Sequence, residues 1–296
     1  MNGLLVATSD LPAVLRRGLD EAGGALARER EWWDPGAGPP QSDAPGLIVA
    51  FLPPGRRRVP VAVAEVAEQR YPGTPLLLLC AEPLTQPLVE LQDGLVALVG
   101  PPPAGPELAV RLAQLLARPA PAWRRQERHL GAIRAGVRSR ADGSPGAACA
   151  WTVATGRGLA VVVAAGAARA ATPALLAALE RGDDLVRTMA QAVAGGAEAG
   201  DCALIHLDYG ERAWLAAWRG DAAVRLAAPG RMPAWSPLGP AGLVRATPAL
   251  SGEVAVAAAP ATALASPATG DAAGILTVLE RTSDSVAAMA AMEVLW

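Results

Sequence analysis

The sequence predicts two domains in tandem, an α/β doubly wound parallel sheet followed by an α+β layered domain. Over residues 1–118, short continuous apolar runs alternate with helically spaced segments, five times in all, the pattern of strands buried on both faces between crossover helices. A proline-bounded break, Pro119 to Pro121, interrupts that alternation. From Ala147 onward the texture changes to many strands with one helical pair inserted early, as expected of a domain built around antiparallel sheets. A chain of 296 residues is long enough for two cores of ordinary size.

In the first domain the strands are expected at Leu4 to Thr8, Leu47 to Leu52, Leu76 to Cys80 and Leu95 to Val99, all short apolar runs. The second strand of the set is expected at Ala25 to Arg30, before a Gly- and Pro-rich loop that holds Trp32 and Trp33. Helical spacing marks Pro12 to Ala27, Val59 to Gln69, Leu84 to Leu91 and Glu107 to Ala117. Residues 119–146 then form a linker in which Trp123 to Arg138 reads as a charged connector helix, with Leu130, Ile133 and Val137 on one stripe. In residues 147–296, strands are expected at Ala148 to Ala154, Leu159 to Ala164, Cys202 to Asp208, Ala213 to Trp218, Ala222 to Ala227, Leu243 to Ala246, Glu253 to Ala258 and Gly274 to Leu279. The helical pair spans Pro173 to Gly182 and Asp184 to Ala194, and Ser283 to Leu295 reads as a closing helix capped by Ser283.

The bulk chemistry excludes several classes. Charged residues make up 18 % and the net charge is −2, so no basic field favours nucleic acid or an anionic membrane. All 26 basic residues are arginine, which removes any mechanism that needs a lysine amine. Cys80, Cys149 and Cys202 are far apart, without the spacing of a zinc knuckle or a disulfide framework. The first ten residues lack a secretory signal, and the most apolar stretch, Gly158 to Leu179, is broken by Arg169 and Pro173. A cytoplasmic protein is expected, with no membrane insertion and no cofactor.

Residues 1–118 resemble the receiver domain of two-component response regulators, a flavodoxin-like fold. That family carries an acidic pair after its first strand, where Leu5-Val6 here runs into Ala7 and Thr8. The phosphoacceptor position is Phe51, the switch hydroxyl position after Thr74 to Leu79 is Cys80, and the Lys-Pro dipeptide after the fifth strand is matched by Pro101-Pro102. Residues 147–296 resemble the SpoIIE branch of the metal-dependent serine/threonine phosphatases. There the Asp-Gly turn after the second strand reads Ala164-Ala165-Gly166-Ala167, with Ala165 in the metal-binding position. The second Asp-Gly falls near Pro260-Ala261, and the Asp-Asp pair before the last strand is reduced to Asp271-Ala272. The order of the parts resembles regulators of the general stress response and the RssB type of adaptor, where Glu127 to Arg138 would be the connector helix.

What the resemblance implies is a non-catalytic regulatory adaptor or scaffold, a pseudo-receiver joined to a degenerate phosphatase domain, acting by contact with a protein partner or a second copy of itself. By analogy with receivers the contact face would be Leu84 to Leu116, including Leu84, Leu88, Leu95, Val99, Leu108 and Leu112. Trp32, Trp33 and Trp123 are further interface candidates in a chain with eight Trp against one Phe. Two alternatives stand beside this: an active phosphatase with displaced acidic ligands drawn from Asp183, Asp201, Asp221 or Asp271, and a structural subunit of a larger assembly. His129 and His206, each without an evident partner, read as surface or packed residues. Asp184 is placed to cap a helix and Asp208 to open a turn with Tyr209-Gly210, roles preferred to a metal cluster. Arg56 to Arg58 reads as a solvated loop.

Overall fold

A computed structural model of the chain describes residues 4–8, 12–13, 16–17, 29–33, 47–52, 60–71, 74–81, 96–99, 105–117, 123–140, 147–194, 199–227, 234–235, 241–260 and 288–296. The chain divides into two compact units, Met1–Ala122 and Trp123–Trp296.

The first unit holds a five-stranded parallel sheet: β1 (Leu4–Thr8), β2 (Glu29–Trp33), β3 (Leu47–Leu52), β4 (Leu76–Cys80) and β5 (Val96–Val99), in the order β2-β1-β3-β4-β5. Every residue of β3 and β4 is buried, which is why those segments are apolar throughout rather than alternating. Helix α1 (Pro60–Arg70) buries Val61, Ala64 and Ala67. Helix α2 (Gly105–Leu116) buries Leu108, Leu112 and Leu115, one stripe at helical spacing.

Two expectations change here. Leu108 and Leu112 are 0 % and 2 % exposed, so they are core rather than an available contact face, and among the described residues of that helix Val110 is the exposed large apolar side chain. Strand β2 starts later than expected and takes in Trp32 and Trp33, opposite Ala7 and Thr8 at the sheet edge. Aromatic residues suit a pleated strand, and the Gly- and Pro-rich segment begins only after them. Leu84, Leu88, Leu95, Pro101 and Arg56 to Arg58 lie outside the described residues, as does the expected helix Leu84 to Leu91.

The second unit is built on two antiparallel sheets. One has the order β14-β11-β10-β9-β8, from β8 (Cys149–Ala154), β9 (Gly158–Ala165), β10 (Asp201–Asp208), β11 (Ala213–Arg219) and β14 (Ala241–Pro248). The other has the order β13-β12-β15-β16-β7-β6, from β6 (Trp123–Leu130), β7 (Ile133–Arg140), β12 (Ala223–Ala227), β13 (Ala234–Trp235), β15 (Val254–Ala259) and β16 (Ala288–Val294). Leu159, Val161 and Val163 of β9, with Ala203, Ile205 and Leu207 of β10, share one core with Ala255, Ala257, Ala290 and Met292 of the facing sheet. Large side chains on one sheet meet mostly alanines on the other, so the layers interdigitate. Helices α3 (Ala168–Arg181) and α4 (Leu185–Val193) lie against the five-stranded sheet. Asp184 caps α4 as expected, its Oδ1 accepting the Arg187 N–H at 3.1 Å.

The connector helix is corrected to a β-hairpin. Strands β6 and β7 pair from Trp123↔Arg140 to Leu130↔Ile133, and Gly131, at φ +55°, takes the first place of the two-residue turn, where positive φ is required. Leu130, Ile133 and Val137 fit a helical stripe, but Ile133, Ala135 and Val137 also alternate, and all three of the latter are buried. Tertiary demand decided between the patterns. The hairpin completes the six-stranded sheet, and the Gln126 side chain reaches the other sheet, where its Oε1 accepts the Thr152 N–H at 2.9 Å.

The closing helix is likewise corrected. Residues 288–294 form β16 between β15 and β7, although alanine and methionine favour helix. Burial on both faces of a central strand overrides that preference. The strand expected at Gly274 to Leu279 lies outside the described residues. Among the described residues no helix is long and apolar enough to cross a membrane.

Candidate functional site

At the carboxyl edge of the parallel sheet, the ends of β1, β3 and β4 bring Ala7, Thr8, Phe51 and Cys80 to one side. Strand order reverses at β1, and such a switch point is where doubly wound sheets place ligand sites. Phe51 is 8 % exposed and Cys80 1 %, and burial pushes the Cys80 thiol up to about 11, away from nucleophilic chemistry. Val99 ends β5 on the same edge.

In the second unit, the register places the end of β9, the start of β10 and the β11–β12 turn at one end of the sandwich. Ala165 closes β9 and leads into Gly166, at φ +61°, and then into α3. Asp201 stands directly opposite Ala165 in the pairing of β10 with β9. Its Oδ1 accepts the Asp221 N–H at 2.8 Å, across the turn at Gly220. Gly200, at φ +75°, packs so closely that an added Cβ would lie 2.4 Å from Ala168 N and 2.7 Å from Ala165 O. The buried Arg219 guanidinium donates to the carbonyls of Gly200 at 2.9 Å, Ala199 at 2.7 Å and Ala194 at 3.2 Å, tying the end of α4 to this loop. Pro260 follows β15 directly.

The resembled phosphatases hold divalent ions through carboxylate oxygens. Among the described residues no group of three or more His, Cys, Asp or Glu converges. Asp201 Oδ1 is already engaged by the backbone N–H of Asp221, while Asp183 is ion-paired with Arg181 at 2.8 Å beyond α3. Asp271 lies outside the described residues. The described residues do not fit a two-ion centre, and no step is derived through one.

The opposite end carries a cleft of about 650 Å³ formed by three turns, at Leu130-Gly131, Thr155 to Gly158 and Asp208 to Gly210. Asp208 opens its turn as expected, Oδ1 accepting the N–H groups of Gly210 and Glu211 at 3.0 Å each, while Oδ2 takes the Arg157 Nε–H at 2.7 Å. Thr155 Oγ1 accepts the N–H groups of Arg157 at 3.2 Å and Gly158 at 3.0 Å, and lies 3.0 Å from His206 Nε2. The hydroxyl proton has two acceptors in reach, the Gly158 carbonyl at 3.2 Å and His206 Nε2, and the donor in the Thr155–His206 contact is set by the imidazole tautomer. Nδ1 is buried without a partner. Burial lowers the His206 pKa to about 4 against the attraction of Asp208, so the ring is neutral near pH 7. His129 instead lies exposed on β6, 3.6 Å from Glu127. Trp123 starts β6.

Sequence reading did not find this cleft. Its glycine-bounded turn Thr155 to Gly158 is visible in the sequence, but its partner His206 is 51 residues away.

No family profile and no curated protein sequence matches the chain. Among solved structures, one of RsbX in complex with magnesium is similar, with 13 % identity and a TM-score of 0.45, over 57 % of this chain and 99 % of the other. A second is of the RsbU and RsbW domains of a Mycobacterium tuberculosis protein, with 16 % identity and a TM-score of 0.39, over 52 % of this chain and 58 % of that one. The sequence-based expectation that the chain is not an enzyme is overturned by these matches.

Proposed function

We propose that the chain is a regulator in signal transduction, a receiver-like unit joined to a phosphatase-like unit, which engages a protein partner at the Ala165 end of the sandwich. The opposition of Asp201 to Ala165 carries this reading. It keeps an acidic oxygen beside the turn where the resembled phosphatase family carries a metal-binding aspartate. The strand order of the first unit supports the receiver-like half. At its carboxyl edge the position of the receiver family's phosphoacceptor is Phe51, which cannot accept phosphate.

A second reading, a metal-dependent phosphatase with displaced acidic groups, rests on Asp201 and Asp221 standing at one turn, joined by the Asp221 N–H to Asp201 Oδ1. One set of experiments on the full chain addresses both. A photo-crosslinker at exposed position 221, incubated in native lysate, is expected to give an adduct of one mass that is missing from position 186 and abolished by Asp201→Arg. Absence of any such adduct overturns the partner reading. Saturable Mn²⁺ binding by calorimetry, with phosphopeptide hydrolysis lost in Asp201→Asn, establishes the second reading, and hydrolysis unchanged in that variant removes it.

A further inference from the structure

The cleft at the other end of the sandwich has the build of a ligand site. Asp208, 6 % exposed in its side chain, is fixed by two backbone N–H groups and holds Arg157 through Nε. A guanidinium anchored through Nε leaves its terminal nitrogens as a fork suited to the paired oxygens of a carboxylate or phosphate. The Arg157 side chain is 62 % exposed, and its Nη2 makes a solvent-open ion pair at 3.6 Å with the 72 %-exposed Glu211, a weak contact that an incoming oxyanion would have to displace.

Beside it stands a flat apolar wall. The Tyr209 ring is 50 % exposed yet held edge-on to Trp296, with centroids 6.3 Å apart. An added Cβ on Gly131 would lie 3.1 Å from that ring, so the hairpin backbone packs closely against it. Gly158, which also lines the cleft, can carry no side chain, since a Cβ there would run into the Leu207 carbonyl of the adjoining strand. A cleft of this size, with one aromatic face and a fixed charged fork, matches the general make-up of small-molecule sites.

The geometry points to a recognition site for a small ligand that joins an oxyanion to a flat apolar body, of the aryl phosphate or aryl carboxylate type, with Arg157 taking the anion and Tyr209 the ring. This site is independent of the proposed function at the Ala165 end. Calorimetry on the full chain in EDTA at low salt tests it with phenyl phosphate and benzoate as probes and benzyl alcohol as the neutral control. Saturable binding of one or both anions and none of the alcohol is expected, and the stronger anion identifies phosphate or carboxylate as the preferred group. Arg157→Gln is expected to weaken binding about tenfold or more, and Tyr209→Ala severalfold. Arg157→Lys, which keeps charge and fold but loses the fork, is expected to fall between. Binding of neither anion up to about 20 mM, or equal affinity in the wild type and Arg157→Lys, overturns the assignment.

Discussion

The two ends of the sandwich use the same kinds of residue for opposite ends. At the Ala165 end, Arg219 is buried and all three of its contacts are backbone carbonyls, so its charge is committed to holding a loop. At the cleft end, Arg157 is held by side-chain carboxylates, Asp208 at Nε and more loosely Glu211 at Nη2, and its side chain is 62 % exposed. Asp201 closes a turn with no cationic partner recorded among the described residues, whereas Asp208 both closes a turn and orients an arginine. The difference shows that polar residues at strand ends become available to a ligand only where the backbone has not already claimed them.

The largest effect that would sharpen this contrast is expected from Gly200→Ala. The substitution places a Cβ against Ala168 N and Ala165 O at a φ of +75°, and about 3 kcal/mol of stability is expected to be lost. Urea unfolding measures it, and a loss below about 1 kcal/mol would show that the Ala165 end is not locked by backbone contacts.

A smaller effect belongs to the cleft end. His206 has a folded pKa of about 4, below its ordinary value near 6.5, so the unfolded chain binds the extra proton first as pH falls. Its neutral form therefore contributes stability that is present above pH 6.5 and lost progressively as pH falls toward 4, about 2 kcal/mol between pH 7.5 and 4.5. Urea midpoints across that range should fall for the wild type and fall less for His206→Leu. Equal slopes would mean that the ring is not buried in its neutral form. The smallest effect is expected from Arg157→Gln, about 1 kcal/mol or less in thermal or urea unfolding, because the side chain is largely in solvent. A loss as large as that of Gly200→Ala would make the cleft arginine a structural staple like Arg219.

Much of the fold is legible in the sequence where local pattern and tertiary demand agree. Leu76–Cys80 is a run of leucines ending in cysteine, bounded by proline on one side, and it forms a strand over those same residues. Asp184 before an amphipathic segment marks the start of α4. Legibility fails in residues 123–140 and 288–294, where the same apolar residues satisfy two periods. The site divides in the same way. The replaced positions Ala165 and Phe51 can be read directly, but the pairing of Arg157 with Asp208 joins turns 51 residues apart, and no local pattern encodes it.

By itself the sequence determined that there are two cores, that the first is a parallel sheet of short apolar strands, and that hydrocarbon side chains occupy Ala7, Phe51 and Ala165. These follow from periodicity and residue type, which act along a few neighbouring residues. Only the tertiary structure decided that Trp123–Leu130 and Ala288–Val294 are strands and that Arg157 faces a cleft. A strand's partners and a turn's neighbours come from distant parts of the chain, and burial between them outweighs the preferences of the segment alone.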